Sequence, residues 1–293
     1  MKINDAYENG QFGLSFELFP PKTPKGERAM FRHVEELTKF QPSFITCTYG
    51  AGGSTRDKTL QIVQQVRESY DCPVASHLTC VGATVDQLRS FLAEAQQRGI
   101  DNIVALRGDP PQGENEFKPV EGGLRYANEL VALIRDEFPR FGIAVAGYPE
   151  THQEAPSAEA DLANLKRKVD TGGDVVITQL FYDNDDFFRF RDRCQAIDIR
   201  VPIVPGILPV TNLAQIQRIT SLCGAKLSDE FVGELSACGD DAEAQFEAGV
   251  AFASRQVQGL IDAGVPGIHF YVLNKSQATA QVLRSVGIPG RSR

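Results

Sequence analysis

Residues 74–107 read VASHLTCVGATVDQLRSFLAEAQQRGIDNIVALR, and this stretch decides the fold. It opens on a short apolar, β-branched run (74–80). Thr84, with Gln87 three residues on, is a capping-box pair that starts a helix over about 85–98, and Gly99 stands where that helix must stop. A second run, 102–107, follows. Its IVAL core is apolar without alternation, which suits a strand covered on both faces in a parallel sheet. The unit is therefore strand, helix, parallel strand.

Outward from it, the same unit recurs in both directions. Apolar runs occur at 14–19, 44–49, 143–148, 175–182, 203–208 and 268–273 as well. Amphipathic segments follow at about 26–40, 56–69, 124–138, 158–170, 185–196, 213–222 and 276–286. An added helical stretch (228–237) and a long helix (242–263) precede the eighth run. Strand then helix, eight times over, predicts an α/β fold of the (β/α)₈ TIM-barrel type. A doubly wound open sheet is the alternative. No linker or low-complexity segment interrupts the pattern, so residues 1–293 are expected to form one domain.

The 293 residues suffice to bury about 75 % of the surface of the unfolded chain. With 42 % hydrophobic and 23 % charged residues, the composition is that of an ordinary globular protein. A net charge of −8 argues against nucleic acid or an anionic membrane as partner but leaves room for a local basic pocket. No apolar run is long enough to span a bilayer or to act as a secretory signal, so a cytoplasmic location is expected. The 6 cysteines form no C-x-x-C pair and read as reduced, mostly buried thiols.

In a barrel of this type the active site lies where the strands end. Polar residues gather there. The first run carries Glu17, the second Thr48 and Tyr49, the third His77 and Thr79, and the fourth Arg107, Gly108 and Asp109. The fifth gives Tyr148, Glu150 and His152, the sixth Gln179 and Tyr182, and the eighth Asn274 and Lys275. Glu17 sits inside an apolar strand, where a lone charge is costly. Either it belongs to a structural ion pair, or its pKa is raised by apolar surroundings and it serves as a general acid. Asp109 reads equally as a turn residue or as a site residue. His77 and His152 have no metal-ligand spacing, so no metal is expected. His33 and His269 are read as structural. The glycine-rich residues 50–53 fit neither common nucleotide-binding pattern. At helical spacing, Asp161, Asn164 and Lys168 form a polar stripe with Arg167 beside it. It is either a solvated face or a helix offering hydrogen bonds and positive charge to a nucleotide at the barrel rim.

Nine segments carry a resemblance. SFELFPPKT (15–23), TYGAGG (48–53), SHLTC (76–80), ALRGDPP (105–111), GYPETH (147–152), LANLKRKVDTGGD (162–174), ITQLFYD (177–183), PGILPV (205–210) and HFYVLN (269–274) resemble, in order, those of methylenetetrahydrofolate reductases. The resemblance covers about residues 14–287 and matches the compact bacterial form, without the C-terminal regulatory domain of eukaryotic members. It implies non-covalent FAD, NADH or NADPH as donor, and ping-pong reduction of 5,10-methylenetetrahydrofolate to 5-methyltetrahydrofolate. It also implies a homo-oligomer and a supply of methyl groups for methionine synthesis.

By the same resemblance, Glu17 matches the acid that protonates the folate as its ring opens, and Asp109 a carboxylate near flavin and pterin. FAD contacts are implied at Thr48, Tyr49, His77, Leu78, Arg107, Gly108, Asp109, Ala127, Tyr148, His152, Ala155, Asp161, Asn164, Arg167 and Lys168. Gln179, Gln215 and Lys275 match substrate contacts. Lys275 replaces an arginine, keeping the charge but losing the planar fork. Ile219 replaces a phenylalanine found in some bacterial relatives. Two readings of other classes stand beside this one: a metal-dependent or Schiff-base lyase on the same barrel, and a folate- or nucleotide-binding protein without turnover.

Overall fold

The structure is a computed structural model that describes residues 1–49, 56–110, 113 and 116–288; the glycine-rich residues 50–53 lie outside this set. The capping box at Thr84 is formed, with Gln87 N donating to Thr84 Oγ1 at 3.3 Å and Thr84 N donating to Gln87 Oε1 at 3.0 Å. The helix it opens, α3 (Val85–Gln97), ends at Gly99, whose φ is +72°. The flanking strands β3 (Val74–Thr79) and β4 (Asn102–Leu106) pair in parallel.

Every other pairing among the described strands is parallel too. The order runs β7-β6-β5-β4-β3-β2-β1-β9-β8 without reversal, which excludes the doubly wound alternative. The strands are β1 (Gly13–Leu18), β2 (Phe44–Cys47), β5 (Gly142–Gly147), β6 (Val175–Thr178), β7 (Ile203–Val204), β8 (Gly206–Ile207) and β9 (Gly267–Tyr271). The seventh run of the sequence is divided in two because Pro205 has no N–H to donate to a ladder. On one side β7 pairs with β6; on the other β8 pairs with β9, and the Pro205 carbonyl accepts from His269 N at 3.0 Å. Residues 203–207 therefore join the two ends of the sheet, and the barrel is nearly closed with eight strand positions. The sixth strand is shorter than its apolar run, so Gln179 begins a loop.

Alternate residues of each strand point inward. Phe44, Ala75, Val104, Ala144, Val175, Ile177 and Val204 fill the lower barrel, where Ile3 and Ala6 of a short 3₁₀ turn (Ile3–Tyr7) plug it. The other strand faces, including Leu14, Phe16, Leu18 and Ile45, pack outward in the main core with Met30, Val34 and Leu37 of α1 (Pro24–Thr38). A third cluster, centred on Phe231 stacked 3.8 Å from Phe252, unites α7 (Leu213–Cys223), α8 (Asp229–Ala237) and α9 (Ala242–Asp262) with Tyr182 and Leu208.

The closing seam is tight. A Cβ on Gly206 would lie 2.2 Å from the Thr178 carbonyl and 2.7 Å from the Tyr271 ring. Gly206→Ala is expected to cost about 3 kcal/mol of stability, the upper end for overpacking, because the obstacle is backbone. A urea midpoint equal to that of the wild type would contradict this packing.

Candidate active site

Glu17 stands at the floor of the barrel mouth, only 7 % exposed. Its in-register neighbours are Thr46 on β2 and Tyr271 on β9. Two imidazoles face its carboxylate: His77 Nε2 lies 3.2 Å from Oε2, and His269 Nε2 lies 3.5 Å from the same oxygen. His269 is fully buried and its Nδ1 lies 2.8 Å from Ser15 Oγ. The His77 Nε2 contact is a close approach to the carboxylate, and the buried Thr46 Oγ1 has no hydrogen-bond partner among the described residues.

This geometry corrects two expectations. Glu17 is not a carboxyl raised by apolar surroundings: burial pushes it up, but the two histidines outweigh burial and hold it down at about 2. Nor does His269 lie outside the cluster, since its Nε2 faces Glu17. Pairing of β9 beside β1 places Ser15 opposite His269, and the alternation of strand faces then turns Ser15, Glu17, His269 and Tyr271 to one side. His33 does lie elsewhere, bonded through Nδ1 to Ser276 Oγ at 3.0 Å.

Beside this floor the loops after β4 and β5 and the helix α5 (Ala158–Asp170) form a rim. Gly108 takes φ +88°, and a Cβ there would come within 2.7–3.0 Å of Val81 and Thr79; the β4 loop hugs the end of β3. Arg107 pairs with Glu154, with Nη2 donating to Oε1 at 2.7 Å, and covers the Phe117 ring at 5.1 Å. Asp109 is exposed on the same loop. In the next loop the Tyr148 and His152 rings meet edge to face at 4.6 Å, and Ala155 N donates to the His152 carbonyl at 2.9 Å. Asp161 accepts from His152 N at 3.0 Å, so α5 fixes that loop. Lys168 reaches the strand ends: its Nζ donates to the Ala146 carbonyl at 2.6 Å and lies 6.0 Å from the Tyr148 ring centroid. Burial pulls its ammonium down to about 8, with Asp161 opposing. Asn164 and Arg167 are exposed and bonded to each other at 2.6 Å.

On the second strand's side, Tyr49 Oη accepts from Thr79 N at 2.6 Å. Thr48 is half-buried, Leu78 is buried and faces the helix layer, and Ala127 opens α4 (Ala127–Glu137). The implied substrate residues come from three elements. Gln179 follows β6 and accepts from Leu180 N at 3.0 Å; Gln215 is exposed in the first turn of α7; Lys275 is exposed after β9. Ile219 packs in the third cluster. Asn274, at φ +56°, grips the Phe19 backbone through both amide atoms, at 2.9 and 2.7 Å, and so ties the end of β9 to the loop after Glu17.

Three partners escaped the reading of strand ends: Ser15, His269 and Glu154. Ser15 and His269 lie one layer below the strand ends, and only the pairing of the first and last strands brings them to Glu17. Ser15 lies two residues before Glu17, whereas His269 lies five before Asn274, so only the register of β1 against β9 reveals it. Glu154 follows His152 by two residues and gave no signal of its own.

The profile of the methylenetetrahydrofolate reductase family matches residues 2–287. The chain belongs to this family. The 5,10-methylenetetrahydrofolate reductase of Escherichia coli (strain K12) is 40 % identical over 286 residues, covering 97 % of this chain and 94 % of the relative. Methylenetetrahydrofolate reductase (NADH) 1 of Arabidopsis thaliana is 38 % identical over 302 residues. The chain spans about half the length of that plant relative (51 %). Among solved structures, an uncharacterized Clostridium thermocellum protein that binds two copies of 5-methyl-5,6,7,8-tetrahydrofolic acid superposes with a TM-score of 0.62 at 15 % identity, over 97 % of each chain. A 2,3-dimethylmalate lyase superposes at 0.55 with 12 % identity, over 99 % of this chain and 89 % of the lyase. At these identities the two structures speak for the fold alone.

Proposed function

We propose that this chain is a flavin-dependent methylenetetrahydrofolate reductase that converts 5,10-methylenetetrahydrofolate to 5-methyltetrahydrofolate with NADH or NADPH as the source of electrons. The observation that carries the reading is Glu17, a buried carboxylate with two imidazoles at the floor of the mouth, in a chain of this family.

The rim residues fit FAD. Lys168 is a cation partly stripped of water and held beside a carbonyl and an aromatic ring, and Arg107 is paired with Glu154 on the same rim. An anionic cofactor would relieve the cost that burial imposes on Lys168. Arg107, Tyr148, Asp161 and Lys168 would hold the cofactor, with Thr48, Tyr49, Asn164 and Arg167 beside them. Bound FAD would supply a hydride to the methylene carbon and be recharged by the nicotinamide donor in turn, the alternation that gives ping-pong kinetics.

The chain's own share is the proton. Breaking the bond between the methylene carbon and N10 leaves an iminium at N5, and N10 must take a proton to depart. One hydride on the carbon and one proton on N10 then balance the reduction. Glu17 is the donor: beside the two imidazoles it is ionised in the free chain, so it must take up a proton as the folate binds before it can give one to N10. A ligand that closes the mouth excludes water and strengthens the effect of burial, which favours the protonated carboxyl. Gln179, Gln215 and Lys275 hold the folate, Lys275 as a point charge for its carboxylates.

The lyase reading is weaker. Among the described residues no group of three or more His, Cys, Asp and Glu could hold a metal, and Lys275 is exposed, whereas a Schiff-base lysine needs desolvation. The visible absorption spectrum of the purified chain, before and after anaerobic NADH or NADPH, tests the proposal. Flavin bands that bleach are the expected result. A chain that stays colourless after incubation with FAD contradicts it.

A further inference from the structure

We infer that His269, keyed by Ser15, is a positioning residue that sets how readily Glu17 releases its proton. The inference rests on the reading of Glu17 as proton donor and adds a control element one layer beneath it, which no substrate touches.

The argument begins with the tautomer. A neutral imidazole carries one N–H, and its place is fixed by the partner of the other nitrogen. Ser15 Oγ lies 2.8 Å from His269 Nδ1 inside a fully buried pocket. When the hydroxyl donates to Nδ1, the hydrogen of the ring must sit on Nε2, the atom that faces Glu17 Oε2 at 3.5 Å. The ring cannot swing away: Phe44 stacks on it at 6.5 Å, and Tyr271 meets it edge to face at 5.3 Å. With that hydrogen-bond direction His269 presents Nε2–H to the carboxylate. That favours the ionised form and makes Glu17 a stronger acid.

The other groups facing Glu17 do different work. His77, on β3, is 7 % exposed and lies on the mouth side, within reach of ligand. Tyr271 donates its hydroxyl to the Thr178 carbonyl at 2.7 Å and is thereby committed away from Glu17. Cys47, on β2, is a buried thiol whose own ionisation is pushed well up by burial, so it adds no charge. His269 is the buried member of the set with a locked ring. In the proton step, Glu17 passes its hydrogen to folate N10 and becomes a carboxylate, which His269 Nε2–H then stabilises.

The test uses the full chain with its cofactor, in His269→Phe, which fills the volume without a donor, and His269→Gln, whose amide N–H can still donate. With reduced flavin, the pH profile of the folate half-reaction is recorded, and 13C NMR of glutamate-labelled protein follows the Glu17 carboxyl, identified by its absence in Glu17→Gln. His269→Phe is expected to move both the high-pH limb and the carboxyl titration up by about one pH unit, a shift typical of losing one donor. The nicotinamide half-reaction should not change, and His269→Gln should restore most of the shift. Ser15→Ala is the second variant if His269→Phe does not fold, and the same direction is expected. A carboxyl titration unmoved in a folded variant overturns the inference. If Glu17→Gln itself reduces folate at the wild-type rate, the proton-donor reading fails, while the NMR titration still decides whether His269 controls Glu17.

Discussion

Glu17→Gln is expected to slow folate reduction by about 10³-fold, within the range that a positioned general acid contributes. The same protein should bind FAD and accept electrons from the nicotinamide at the wild-type rate. Glutamine has nearly the same shape and can still meet the two imidazoles, so the fold has no reason to fail. What it lacks is a proton to give N10. The expected signature is thus a split between two half-reactions of one enzyme. Flavin reduction unchanged together with folate reduction within about threefold of wild type would remove Glu17 from the proton step.

Lys168→Met is the second large effect. Truncating a charged group that meets an anion costs about 1.5–3 kcal/mol, or roughly 10- to 100-fold in FAD affinity. A pH signature accompanies it. The ammonium titrates at about 8 in the free chain because burial disfavours its charge; an anionic cofactor raises it again. Below about 8 the lysine is already charged and FAD affinity is flat. Above that value, binding must take up a proton, so affinity falls as pH rises. Calorimetry at pH 9 in two buffers of different ionisation heat should detect this uptake in the wild type and none in Lys168→Met. Equal affinities and equal uptake in both proteins would place the cofactor elsewhere.

The barrel was legible because its signals are local. The capping box at Thr84, the stop at Gly99 and the unbroken apolar runs each act within a few residues, and a parallel sheet demands nothing subtler. The rim was legible for a related reason: strand ends are marked by the chain itself, so Arg107, Tyr148 and His152 could be named from position. The helix stripe needed more. Asp161 and Lys168 reach the loop and strand ends, while Asn164 and Arg167 pair with each other in solvent, and spacing alone does not separate these two behaviours.

What escaped depends on pairing across the closing seam. Ser15 and His269 are 254 residues apart, and only the register of β1 against β9 brings them together. The electrostatics of Glu17 escaped with them, since an apolar strand context predicts a raised carboxyl and the two histidines reverse it. The division at Pro205 is another such case. A proline inside an apolar run argues for a break, but that the two halves serve opposite neighbours follows from closure of the barrel. The 3₁₀ plug at Ile3–Tyr7 likewise has no meaning until there is a barrel floor to fill.

The central claim is that this chain passes electrons from a bound flavin to the methylene carbon of a folate. Its most direct test is a single anaerobic turnover: the chain is reconstituted with FAD, reduced by a limiting nicotinamide donor, and mixed with 5,10-methylenetetrahydrofolate in the absence of oxygen. The account predicts that the flavin bands return and that one 5-methyltetrahydrofolate forms for each flavin reoxidised. Flavin that stays reduced with the folate recovered unchanged would contradict it.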